Sequence, residues 1–438
     1  MKSSKKWVIT FVILMICVLA FIASVNYFVD PYGYFRFQGG NYFELNDDYY
    51  TRVLKAERIE NYSDDYDAYI IGGSKASGIR ADRMHEIDGY NYYNSYIQSG
   101  NFEEYEKYIR YIIENDNDVK KILLHLSSIE VKEYSRQTLG DTYVTPAQVN
   151  GTSKVKEVFK MLFKNLKVSV EEIEKIADKK TNPVSYPELP SGERNLGKYY
   201  DAVTLDKEWF KERYVMKDYD ASLSSLFNEQ PEQSENMKLC LETLRRIKTL
   251  CDENNIELSV VFGPSFITEM AVFDGPQFWN YYGEVVNIVG DVWDFSDYND
   301  IMLNPYNFYN NLHFFYDVGN LMVDTMEYNE EQYKSDDPIF GHFGYHVYSD
   351  KNECDNDTSE LAITVTEYIN RRENEYNTLK EEYNMTGTIA LKDYDDASNI
   401  VKGSSYFESD ELKAREGRSD DIKETYERTK SKYFKEGE

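Results

Sequence analysis

The sequence predicts an α/β protein: a three-layer α/β/α sandwich with a mainly parallel sheet, preceded by one transmembrane helix. Three observations carry that expectation. Short apolar runs alternate with amphipathic helical patterns between residues 66 and 330, and alternation of this kind implies right-handed crossovers and a parallel sheet. Residues 7–29 form a single long uncharged apolar stretch. The remaining length, part of a 438-residue chain with 41% hydrophobic residues, is enough to build a sizeable core.

The elements follow in order. Lys2, Lys5 and Lys6 precede the uncharged run from Trp7 to Val29, which as a helix spans about 35 Å against a hydrocarbon core of about 30 Å. An uncleaved anchor is expected over a cleaved signal peptide, because no small-x-small exit follows, and over a buried core helix. The lysines leave residues 1–6 as a cytoplasmic stub and everything after Asp30 outside the membrane. Residues 30–65 read as a juxtamembrane loop and a helix near Asp47 to Tyr62. Strands are expected at "DAYIIGG" (67–73), "YNYYNSY" (90–96), "VKKILLHLSS" (119–128), "IELSVVFG" (256–263) and "DVWDF" (291–295). Helices are expected at 101–116, 234–255, 276–290 and 315–328.

Between 131 and 233 the rhythm is lost, and this stretch is expected to be a helical insertion. Its "SKVKEVFKMLFKNLK" (153–167) is amphipathic and carries Lys154, Lys156, Lys160, Lys164 and Lys167. It could lie on anionic headgroups or a membrane partner, or pack its apolar stripe on the main domain, which is the expected outcome. "TNPVSYPELPSGERN" (181–195) reads as loop. Residues 331–384 are expected to be an irregular segment followed by a helix over 359–384, and 385–438 an acidic tail, disordered or a loose solvated helix.

Composition excludes some functions. A net charge of −29 opposes nucleic-acid binding, which needs a basic footprint. Four scattered cysteines and no CxxC or HxH spacing point to no disulfide framework, no metal site and no cofactor. Gly72-Gly73 lacks the GK[ST] of a phosphate loop. The tyrosine clusters could stack on sugar rings but are expected to be packing.

Ser74 follows the first strand in "YIIGGSKASGI" (69–79). A serine nucleophile needs a base, and the histidines are His85, His125, His313, His342 and His346. His125 sits inside an apolar strand and reads as a core residue. His85 falls in a surface helix, and His342 and His346 in the irregular segment. His313, in "NPYNFYNNLHFFYDVGN", precedes the last helix and so shares the carboxyl edge of the sheet with Ser74, the edge where open α/β sheets bind ligands.

"IIGGSKAS" and "WDFSDYNDIMLNPYNFYNNLHF" together resemble the SGNH/GDSL hydrolase-like family, with its flavodoxin-like sheet. The likeness is nearest to the membrane-anchored cell-surface branch similar to teichoic-acid D-alanylation and polysaccharide O-acetylation proteins. It covers roughly 65–330 and the anchor followed by "DPYGYF". The resemblance implies Ser74 as nucleophile and His313 as base. It implies the Gly100 N–H of "YNSYIQSGN" as an oxyanion donor. The asparagine of the third block is absent from "HLSSIEV", where only Ser127 or Ser128 could stand in. The family's aspartate three residues before the histidine is Asn310 here. Asp317 or Asp294 could take its place. The expected function is therefore a membrane-anchored extracytoplasmic acyl esterase or O-acyltransferase acting on a cell-envelope polysaccharide or teichoic-acid-like polymer. Its expected partner is a multi-span membrane O-acyltransferase. The alternative is a catalytically weak or inactive surface scaffold or carbohydrate-binding protein with the same fold.

Overall fold

The computed structural model describes residues 2–30, 35, 47–116, 118–132, 145–177, 191–219, 226–227, 234–326, 343–401 and 418–433. The chain divides into two compact units, Met1–Asn61 with Gln137–Pro187, and Tyr62–Arg136 with Glu188–Glu438. The expected insertion of 131–233 is thus split. Its stretch Gln137–Pro187 belongs with the apolar helix, whereas the residues before it and from 188 onward belong with the sheet.

The first unit is built on the helix Lys2–Val29. Its stretch Lys5–Val29 is long and apolar enough to cross a membrane, and none of its most apolar window is buried. The helices Lys154–Leu162 and Lys167–Ala177 pack against this helix. Asn26, 3% exposed, donates to the carbonyls of Leu162 and Lys164 at 3.0 and 2.9 Å and accepts from the Ser169 hydroxyl at 2.7 Å. On the inner side Met161 packs with Val53, Phe35 and Val168. The expectation that the apolar stripe of 153–167 would be covered is corrected. Val155, Phe159 and Phe163 are exposed, because the short face carrying Met161 and Glu157 is the one that turns inward.

The second unit holds a seven-stranded sheet. Its strands are β1 (Ala68–Gly72), β2 (Tyr92–Tyr96), β3 (Lys121–Leu126), β4 (Glu257–Phe262), β5 (Asp291–Asp294), β6 (Tyr345–Tyr348) and β7 (Ala362–Thr364). Their order is β2-β1-β3-β4-β5-β6-β7. All pairs from β2 to β5 are parallel, β6 is antiparallel to β5, and β7 is parallel to β6. β1 is buried along its whole length, as a central parallel strand must be, so "AYIIG" needs no polar face. The order 2-1-3-4-5 reverses direction between β1 and β3, and in doubly wound sheets the crevice beyond the carboxyl ends at that point takes the ligand. Ser74 follows β1 directly.

Two expectations fail past residue 330. The segment read as irregular supplies β6 and a helix at Lys351–Asn356, and β7 takes the start of the stretch expected to be helix. The helix expected over 359–384 begins at Val365, after β7, where Thr364 and Glu367 close a capping box. Neither strand was visible because each is very short and gains its backbone partners only from the sheet edge. The expected disordered tail is also corrected in part. Ile389, Ser398, Asn399 and Val401 are buried, and Asn307 binds the carbonyl of Ser398 and the N–H of Ile400, both at 2.8 Å. A helix runs over Arg418–Tyr433; there Thr429 accepts from the indole of Trp209 at 3.2 Å.

Candidate functional site

The site grows from the end of β1. A Cβ on Gly72 would lie 2.7 Å from the His125 carbonyl oxygen, and one on Gly73 3.0 Å from the Tyr105 hydroxyl. Both glycines therefore answer to close approach, and Gly73 has an ordinary φ of −72°. The chain then enters a short 3₁₀ turn, Ser74–Gly78. Asn94 of β2 clamps this turn, its amide donating to the carbonyls of Ala76 and Ile79 at 2.8 Å each.

His313 arrives on a tight loop in which Phe308 and Phe314 form an isolated bridge and the Tyr309 N–H bonds the His313 carbonyl at 2.9 Å. The Phe314 ring lies against Gly78, where any Cβ would collide with it, and Gly319 meets the Gly78 carbonyl in the same way. These contacts seat the loop against the Ser74 turn. The result spans 239 positions of chain: the Ser74 hydroxyl lies 2.6 Å from His313 Nε2. On the far side of the ring, Nδ1 is 2.8 Å from Asn310 Oδ1.

Asn310 Oδ1 also accepts the backbone N–H groups of Leu312 and His313 at 2.9 and 3.0 Å. Two backbone donors can meet only the carbonyl end of an amide, so the oxygen faces the ring. That arrangement places the proton on Nδ1 and leaves Nε2 as the acceptor for the serine hydroxyl. The amide thus selects the tautomer a general base requires, although it cannot neutralise an imidazolium. Neither alternative carboxylate takes over this position. Asp317 accepts from Tyr200 at 2.5 Å, and Asp294 is buried with Ser296 at 2.6 Å and Arg372 at 3.7 Å.

The electrostatics are those of a buried neutral base. His313 is 8% exposed, and burial, then the charges of Arg194 and Lys75, hold its pKa well below the usual histidine value. Tyr309 stacks on the ring with centroids 5.3 Å apart. Lys75, next to the serine, is buried with its ammonium 2.6 Å from Ser265 and Glu269. Glu130 accepts from the Ser127 N–H and hydroxyl at 2.9 and 2.6 Å, and burial raises its pKa.

The two expected oxyanion donors are both spent. The Gly100 N–H bonds the Ile97 carbonyl at 2.8 Å, closing the turn that leads to the Asn101 helix cap. Ser127 gives both of its donors to Glu130, while Ser128 turns its hydroxyl to Glu269 at 3.4 Å. The N–H of Ser74, first in its turn, makes no hydrogen bond among the described residues.

The other histidines lie apart. His125 is fully buried, donates from Nε2 to the Gly263 carbonyl at 2.6 Å, and is pushed by burial to about 4. His85 bonds the Tyr90 carbonyl at 2.9 Å, and His346 stacks on Trp293 with centroids 4.4 Å apart. His342 lies outside the described residues. Sequence reasoning missed Arg194, Asn94 and the Lys75–Glu269 pair. Arg194 sits in a stretch read only as loop, which Ser191 joins to β2 by accepting the Asn94 N–H at 2.9 Å. A lysine at the end of a buried strand does signal a buried counter-charge, but not which of many glutamates supplies it. Comparison with protein-family models, curated proteins and solved structures returned no match.

Proposed function

We propose that the chain is a membrane-anchored serine acyl esterase or O-acyltransferase of SGNH type, acting outside the membrane on a cell-envelope polysaccharide or teichoic-acid-like polymer. The observation that carries the reading is the relay Ser74–His313–Asn310, with bonds of 2.6 and 2.8 Å at the switch point of the sheet. In the proposed reaction the Ser74 oxygen attacks an acyl carbonyl while its proton passes to His313 Nε2. The same proton goes to the departing alcohol oxygen, leaving an acyl-serine. Water, or a sugar hydroxyl, then takes the acyl group through the reverse proton path. The Ser74 N–H is the donor that remains for the oxyanion. The lysines before the apolar helix orient the rest of the chain outward, where a multi-span membrane acyltransferase would deliver acyl groups.

The engaged donors at Gly100 and Ser127, together with the amide at 310, favour a second reading, a weak or inactive carbohydrate-binding scaffold with this fold. A fluorophosphonate serine probe applied to the full chain in membranes separates the two. Labelling of wild type, and of neither Ser74→Ala nor His313→Ala, is expected for the enzyme. A folded wild type that stays unlabelled would remove the catalytic reading.

A further inference from the structure

We propose that the paired helices Lys154–Leu162 and Lys167–Ala177 form a lipid-contacting foot, lying in the headgroup region of the leaflet where the apolar helix ends. The inference rests on the reading of that helix as a membrane span, and on three independent observations.

The first is depth. Counting from Trp7, the first residue past the lysines, about 30 Å of helix ends at Asn26, the boundary of a hydrocarbon core. Trp7 and Tyr27 stand exposed near the two ends of the run, where interfacial aromatics belong. Asn26 is the residue that both helices grip, through the carbonyls of Leu162 and Lys164 and the hydroxyl of Ser169. The grip fixes the helix pair at the level of the boundary.

The second is the outward face. Val155, Phe159 and Phe163 recur at helical spacing and are 66%, 58% and 42% exposed, with Val170 and Ile173 on the next helix both 43% exposed. Phe159 and Phe163 stack on each other, with centroids 6.1 Å apart. An apolar face of this size in an otherwise acidic chain needs an apolar cover.

The third is charge. Over 154–167 five lysines, Lys156 among the exposed ones, stand against the single Glu157 in a chain of net charge −29, while the second helix adds Glu171, Glu172 and Glu174. A basic first helix beside an apolar face matches anionic headgroups over acyl chains, and opposes a surface shaped only for a neutral protein partner.

The test uses the full chain reconstituted in vesicles of phosphatidylcholine and phosphatidylglycerol. A genetically encoded, environment-sensitive fluorescent amino acid is placed singly at positions 11, 159 and 163, all exposed, so that folding is not at stake. Brominated acyl chains should lower emission about twofold or more at 159 and 163, as they should at 11. Quenching at 11 with unquenched, water-like emission at 159 and 163 would leave the anchor standing and overturn the foot. Blue-shifted but unquenched emission at 159 would also overturn it, since a protein surface would then be the cover. No quenching at 11 would remove the anchor itself and the foot with it.

Discussion

In the proposed relay Asn310 does two of the three things an aspartate would do there. It holds the ring and, through its two backbone donors, selects the Nδ1–H tautomer; it leaves the positive charge of the protonated ring unanswered. Arg194 and Lys75 make that charge still less welcome. In a serine protease the aspartate-to-asparagine change costs about 10⁴ in turnover, close to 5 kcal/mol at 1.36 kcal/mol per decade. Part of that loss comes from the wrong tautomer, which is not the defect here. Asn310→Asp should therefore raise the rate of fluorophosphonate labelling by about 10- to 100-fold, less than the full protease effect. The sign of the pH change follows. In the proposed relay burial keeps His313 neutral to well below the usual histidine value, whereas a carboxylate beside Nδ1 favours the charged ring and moves the acid limb of the rate profile upward. A rate that falls, or a limb that does not move, would remove Asn310 from the relay.

At the scale of elements, the serine turn and the histidine loop are held together by missing side chains. Gly319, in the helix Tyr316–Met326, meets the Gly78 carbonyl so closely that no Cβ fits, and backbone on both sides cannot step aside. Gly319→Ala should push that helix off the turn. Urea unfolding should show a loss of about 1–3 kcal/mol, the usual cost of overpacking, together with loss of labelling at Ser74. Unchanged stability and labelling would mean that the contact does not position the pair. The strands themselves were legible as apolar runs ending in polar stops, because a central parallel strand is buried on both faces and must be written that way. β6 and β7 were not. "YHVY" and "AIT" are too short to carry a period, and only pairing, of β6 with β5 and of β7 with β6, makes them strands.

For the whole molecule, the C-terminal part is bound into the sheet unit by a buried ion pair. Arg372, 2% exposed, holds Asp274 with bonds of 2.7 and 2.8 Å and reaches Ser296 at 2.8 Å. Burial would lower its pKa, but the carboxylates of Asp274 and Asp294 outweigh that and raise it. Arg372→Ala would leave Asp274 and Asp294 buried without a cation. The unfolding free energy should drop by about 3–5 kcal/mol, the scale for breaking a buried pair. A drop below 1 kcal/mol in calorimetry of the full chain would show the helix Val365–Thr386 to be dispensable. The sequence offered no hint of this tie, since its partners stand about a hundred positions apart and each reads alone as a surface charge.

The sequence by itself determined the apolar first helix, the alternating rhythm that becomes a parallel sheet, and the pairing of a serine block with a distant histidine block. Each is written in local pattern: a run, a period, or a residue at the end of a strand. Tertiary structure alone decided which groups touch. It turned the carbonyl of Asn310 toward the ring, spent the donors of Gly100 and Ser127 on other partners, and brought the charge of Arg194 to bear on His313. It also left the phenylalanines of 154–163 uncovered. Hydrogen bonds and burial depend on what the chain brings alongside from far away, and local order in the sequence holds no record of that.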